Sequence, residues 1–170
     1  AYNQFAEKYN FKMPVKIGFA FGEHLVSFFG KEFADYILYD NSMDHAIDPL
    51  RCILESIRVL KKGGVLSLRH NEVEAQLNTA EGLHQWDFLM NTEGDFVIAN
   101  ENNYVNISKL LSPFCKVDTY EEEFIEIHQN LVIVNIEKRE EVPETIIEKY
   151  DADVDNGVLI QELFALYTEK

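Results

Sequence analysis

The stretch Phe33–His70, FADYILYDNSMDHAIDPLRCILESIRVLKKGGVLSLRH, decides how this sequence is read. Tyr36, Ile37, Leu38 and Tyr39 form a short apolar run between charged residues. A run without alternation suits a strand covered on both faces, as in a parallel sheet. Asp40, Asn41 and Ser42 interrupt it with side chains that favour turns. Asp48 is placed to cap a helix and Pro49 to open it, where no backbone donor is needed. Leu50, Ile53, Leu54, Ile57 and Leu60 then recur at helical spacing, and Lys61, Lys62 and Gly63 predict the helix end. Val65 to Leu68 restarts a strand. The pattern is a βαβ unit, which predicts two parallel strands joined by a right-handed crossover.

The chain of 170 residues is long enough for one domain with a real core. Fifteen basic against thirty acidic residues give a net charge of -15, which argues against general binding to nucleic acid or anionic membranes. A solvated acidic surface accounts for that charge. Cys52 and Cys115 form neither a CxxC pair nor a disulfide framework, and a reducing, cytoplasmic setting is expected. Cys52 falls in the apolar helix and reads as packing. No stretch reads as a signal peptide or a membrane span.

Outside the βαβ unit, Phe5 and Tyr9 are spaced as a helical pair, and Val15 to Phe21 reads as a strand. Gly22-Glu23-His24 follows as a loop. Arg69-His70-Asn71-Glu72-Val73-Glu74 is expected to lead into a short helix that reaches about Glu81. Phe88–Met90 and Phe96–Ile98 predict a hairpin around the five-residue turn Asn91–Asp95. Asn106 or Ser108 starts a short helix through Leu111, before Pro113. Val117–Ile127 and Leu131–Ile136 predict a second antiparallel pair, with uncertain register, around His128. Beyond Glu141 the chain is acidic and helical in character, with Leu159, Leu163, Leu166 and Tyr167 as docking residues. Residues 1–141 are therefore expected to form the main α/β domain and 142–170 a helical extension packed on it.

The run FADYILYDNSMDHAIDP, a helix, and then VLKKGGVLSL resembles the fourth and fifth strand region of class I S-adenosylmethionine-dependent methyltransferases. That family has an F-D-hydrophobic strand, an N-A-L-x-H-type turn, D-P, a helix and R-V-L-K-x-G-G before the next strand. FGEHLVSFF resembles the family's D-A-E-x-L-P-F segment, with Phe21 standing where an acidic residue is usual. The resemblance implies a Rossmann-like sheet in which parallel strands are followed by antiparallel hairpins. It implies S-adenosylmethionine as cofactor, with Phe21, Gly22, Glu23, His24, Tyr39, Asp40 and Asn41 on its side. Asp44 and His45 are the implied catalytic positions, because an imidazole titrates near neutrality and can act as a general base. His70, Glu72, His84 and Trp86 are the candidates for binding a small-molecule methyl acceptor. His70, Glu72, Glu74 and His84 also invite a metal-dependent hydrolase reading, but they spell no H-E-x-x-H pattern, and no metal site is assigned.

One family feature is missing. The cofactor grip is a glycine-rich turn, needed because a side chain would block close backbone approach. None of the eight glycines is separated from another by a single residue, so G-x-G occurs nowhere. The simplest expectation is an N-terminally incomplete domain, with strands one and two of the family sheet absent. A strand edge left bare in this way predicts self-association, and as a truncated domain the chain would be inactive. The alternative expectation is a non-catalytic methyltransferase-like module that acts through protein contacts.

Overall fold

The computed structural model describes residues 2–12, 18–77, 84–101, 104–124 and 129–155. Helix α1 spans Tyr2–Lys8, and Phe5 stacks on Tyr9 at 4.5 Å between ring centroids. A 3-10 turn at Gly22–His24 leads into the short helix α2, Leu25–Phe29. Strand β1, Ala34–Asp40, is followed by a second 3-10 turn at Met43–His45 and by helix α3, Pro49–Val59. Strand β2 spans Leu60–Asn71 and the short helix α4 Glu74–Leu77. Strands β3 (Asp87–Met90), β4 (Phe96–Ala99) and β5 (Tyr104–Asn106) lead into helix α5, Ile107–Leu111. Strands β6 (Cys115–Phe124) and β7 (Gln129–Lys138) precede helix α6, Glu144–Asp155.

The main sheet has the order β1-β2-β7-β6, and β3-β4-β5 form a separate sheet. β1 and β2 are parallel, with Tyr36 opposite Val65 and Asp40 opposite Arg69, as the βαβ pattern requires. β7 runs antiparallel to both β2 and β6. The helix between the parallel strands forms for the expected reasons. The Asp48 side chain accepts a 2.9 Å hydrogen bond from Arg51 N, and Pro49 occupies the first turn. Leu50, Ile53 and Ile57 are buried against a core that includes Leu66 and Leu68 of β2 and Val132, Val134 and Ile136 of β7. The hairpin is also as expected, with Met90 opposite Phe96 across the Asn91–Asp95 turn. The Asn106 side chain caps α5 by accepting from Lys109 N at 2.9 Å. The third strand, β5, and its small sheet were not anticipated.

Three expectations are corrected. First, β1 is not covered on both faces: Tyr36 and Leu38 are 58% and 54% exposed, while Ile37 and Tyr39 pack against the core. The face of β1 that carries Tyr36 and Leu38 stays open, and among the described residues β1 is also an edge strand. Second, α3 ends at Val59, and Gly63 does not stop it. Leu60 is already extended and fully buried, so its side chain draws the chain directly into the sheet. Gly63, at φ +80°, belongs instead to a bulge, because Ala34 pairs with Leu60 while Tyr36 pairs with Val65. A Cβ on Gly64 would stand 2.9 Å from the carbonyl oxygen of Lys61, so the bulge requires glycine there too. Third, Gly18–Phe21 form no strand. Residues 15–17 of that expected strand, the end of the helix expected to reach Glu81, the turn at His128 and the docking residues from Leu159 onward lie outside the described residues.

Helix α6 packs through Ile147 and Tyr150, both buried, and Val142 precedes it in the same core. The Tyr150 hydroxyl donates to the second oxygen of Asp48, so one carboxylate both caps α3 and anchors α6. Asp48→Ala is expected to lower stability by about 1–2 kcal/mol in urea unfolding, and Tyr150→Phe by about 1 kcal/mol. Equal stability of Asp48→Ala and the parent would contradict this double role.

Candidate functional site

The carboxyl ends of parallel strands are where open α/β sheets bind ligands. Here the rim is built by the end of β1, the turn after it and the turn preceding α2. Asn41, at φ +44°, leaves the strand in a left-handed conformation, its N–H donating to Arg69 O at 2.7 Å. Its side-chain oxygen accepts from Asn71 N at 3.3 Å, which ties together the ends of the two parallel strands. The chain then turns through Met43–His45, with Met43 and Asp44 buried.

A cleft of about 1070 Å³ opens beside this turn, lined among others by Phe21, Gly22, Glu23, Tyr39, His45 and Arg51. The expected cofactor residues Phe21, Gly22, Glu23, His24 and Tyr39 all lie on its wall. Asp40 and Asn41 do not; they are exposed at the strand end. Glu23 is not a free loop carboxylate, since it accepts a 3.2 Å hydrogen bond from Ile47 N. Its carbonyl accepts from Arg51 Nε at 3.3 Å, and Arg51 pairs in turn with Asp151. Burial raises the Tyr39 hydroxyl to about 12, against a hydrogen bond from Ser56 that lowers it. The Cys52 thiol is also held up, first by burial and then by Glu23, so it is an inert packing group.

His45 lines the cleft and also belongs to a second assembly. Asp44 is fully buried, and His84 Nδ1 lies 2.7 Å from its Oδ2. His45 Nε2 is 3.4 Å from the same oxygen, and the His45 and His84 rings meet edge to face at 4.7 Å. Glu74 Oε1 is 3.9 Å from His84 Nδ1. His70 is 1% exposed, stacks on Phe88 at 4.1 Å and lies 3.8 Å from Asp44 Oδ1. The fold thus brings Asp44, His45, His70 and His84 together. It leaves out Glu72, whose carboxylate accepts from the Asn130 side chain at the start of β7, and Trp86, which is packed in the core at 4% exposure. Asp44, His45 and His84 offer ligand atoms all within 4.8 Å of one another, a set able to hold a metal ion. Sequence reasoning weighed His70, Glu72, Glu74 and His84 for that role. It missed Asp44 and His45, because their partner His84 is distant along the chain.

The family model comparison gives no match to this sequence, and no curated protein matches it. Solved structures do resemble it. The 1,6-didemethyltoxoflavin-N1-methyltransferase of Burkholderia thailandensis, solved with 1,6-didemethyltoxoflavin and S-adenosylhomocysteine, superposes with a TM-score of 0.50 at 11% identity over 82% of this chain. The CurJ carbon methyltransferase gives a TM-score of 0.51 at 17% identity over 80% of this chain. The chain spans 56% of the first neighbour's length and 39% of the second's.

Two predictions follow from this geometry. A Cβ on Gly22 would stand 2.8 Å from Cys52 Sγ and 3.3 Å from the Tyr39 hydroxyl. Gly22→Ala is expected to destabilise by about 1–3 kcal/mol, with part of the loss recovered in Gly22→Ala/Cys52→Ala; strict additivity in the double-mutant cycle would contradict the contact. Burial, opposed by Asp44, pushes His70 down to about 4 from its ordinary 6.5. The native ring stays neutral where the unfolded one takes a proton, so its contribution is complete above pH 6.5 and is lost as pH falls towards 4. Unfolding in EDTA is expected to show roughly 3 kcal/mol less dependence on pH across that window for His70→Phe than for the parent. Identical pH profiles would contradict a neutral buried His70.

The described residues carry the fold of class I S-adenosylmethionine-dependent methyltransferases.

Proposed function

We propose that this chain forms the rim on which an S-adenosylmethionine-dependent methyltransferase holds its methyl donor against a small-molecule acceptor. The observation that carries the reading is the cleft beside the carboxyl ends of the parallel pair, where Phe21–His24 and Tyr39 share a wall with His45. Its chemistry fits part of the donor. Phe21 and Tyr39 offer aromatic surface, Gly22 brings backbone close to the wall, and Glu23 places a carboxylate where a cationic group is favoured. The glycine-rich turn that would take the rest of the donor is not in this sequence. Donor binding by these residues alone is therefore weak.

Bound S-adenosylmethionine supplies an electrophilic methyl group on a positively charged sulfur. The residues of this chain bind and orient. Tyr39 and Met43 wall the cleft, and Arg51 is held by Glu23 and Asp151, so the cleft keeps its shape. Holding acceptor and donor in line supplies much of the rate in such transfers. His45, on the cleft wall, stands where the acceptor's nucleophilic atom loses its proton, with buried Asp44 behind it fixing the imidazole ring. Cytoplasmic residence accords with two buried free thiols and with the absence, among the described residues, of a helix able to cross a membrane.

The missing G-x-G favours a second reading, a non-catalytic module of the same fold. On that reading the open face of β1, with Tyr36, Leu38 and neighbouring Phe33 exposed, serves protein contact or self-association. Titration of 15N-labelled chain with S-adenosylhomocysteine separates the two. The methyltransferase reading expects shifts confined to Gly22–His24, Tyr39 and Met43–Ile47. No shifts at millimolar ligand, with concentration-dependent sedimentation, would favour the module instead.

A further inference from the structure

The Asp44 cluster is built differently from an ordinary ion pair. Its carboxylate is completely buried, yet only one of its two oxygens is satisfied: Oδ1 has no hydrogen-bond partner among the described residues. Facing it at 3.8 Å is His70, equally buried, with neither ring nitrogen partnered among the described residues. Leaving such groups unsatisfied costs about 1–3 kcal/mol each, more for a charged one. His45 and His84 both turn a nitrogen to the other oxygen. The assembly is a carboxylate ringed by three imidazoles, reached from solvent through the half-open His45 and His84.

We propose that Asp44, His45 and His84 bind one divalent first-row transition ion, with His70 and Glu74 as its supporting outer shell. Two imidazoles and one carboxylate suit zinc, iron or cobalt, whereas magnesium and calcium prefer oxygen alone. Nitrogen and oxygen ligands each about 2.0–2.1 Å from a tetrahedral ion stand roughly 3.4 Å apart. His45 Nε2 and Asp44 Oδ2 already have that separation, 3.4 Å. The 2.7 Å His84 contact is a hydrogen bond, and it lengthens when the shared proton is exchanged for the ion. Three protein ligands leave a position for water or for an oxygen of the acceptor, and His45 places that position beside the cleft. Resting on the methyltransferase reading only for its use, the ion would acidify the acceptor's bound oxygen. The binding itself stands apart from it.

The test uses the whole chain stripped with EDTA and titrated with Co2+, whose visible d–d absorption reports a nitrogen-containing site of low coordination. The expected result is one Co2+ per chain with intense visible bands, displaced by Zn2+ and accompanied by a rise in melting temperature. His84→Gln and His45→Gln are expected to weaken binding by at least the roughly tenfold to hundredfold that loss of even an outer-shell partner costs. His45 is 42% exposed, so its replacement keeps the fold even where the His84 variant fails to. Glu122→Gln, an exposed carboxylate far along β6, is expected to change nothing. Weak uptake of several ions without visible bands, insensitive to His45→Gln, would assign binding to the acidic surface and overturn the proposal. None of these measurements involves the methyl donor, so their failure leaves the S-adenosylhomocysteine titration to judge the function separately.

Discussion

The parallel pairing of β1 with β2 is the constraint on which the rest depends. Parallel strands cannot be joined by a tight turn, so the intervening chain must cross over one face of the sheet, and α3 does so with its apolar stripe buried. That crossover places both strand ends on the same rim. Asn41 then locks them together through Arg69 O and Asn71 N, and the polypeptide leaving β1 is forced into the turn that buries Asp44. Had the strands been antiparallel, Asp44 and His70 would lie at opposite ends of the sheet. The cleft and the histidine cluster would not exist.

Charges inside this small domain are organised around the same crossover. Glu55 of α3 is 2% exposed and reaches both Arg58 and the backbone N–H of Val26, which docks α2 on α3. Arg58 extends the chain of contacts to Glu144 at 2.6 Å, and Lys31 holds the same carboxylate. At the other end, Lys138 is 1% exposed; it donates to Leu60 O at 2.7 Å and pairs with Glu141. This lysine satisfies a carbonyl at the point where helix becomes strand. These buried charges are each met by a partner, as burial of an ion demands. Among the described residues, Asp44 Oδ1 and both His70 nitrogens stand with Arg58 Nε and Thr119 Oγ1 as the buried side-chain polar atoms left without a hydrogen-bond partner.

Much of the architecture was legible because it is written locally. Asp48-Pro49, the Leu50–Ile57 spacing, the Asn91–Asp95 turn and the Asn106 cap each specify a backbone geometry within a few residues. What escaped depended on contacts between distant segments. The apolar composition of Tyr36–Tyr39 cannot say whether another layer of the structure packs on its second face. Lys61 and Lys62 carry a helix-end signature, but burial of Leu60 wins over local preference and begins the strand early. The cleft residues from Phe21 to Tyr39 were found through motif resemblance, whereas the cluster was found only in part. Asp44 and His45 were read as a catalytic pair and His84 as an acceptor contact, yet no spacing rule links residues joined only through tertiary packing.

The central claim is that the rim of the parallel pair is a methyl-donor surface. A crystal structure of the chain grown with excess S-adenosylhomocysteine tests it most directly. The account predicts ligand density in the cleft between the Gly22–His24 turn and Tyr39, with β1 and β2 still parallel and Asn41 still bonded across their ends. Density for the ligand elsewhere, with this cleft filled only by solvent, would contradict it.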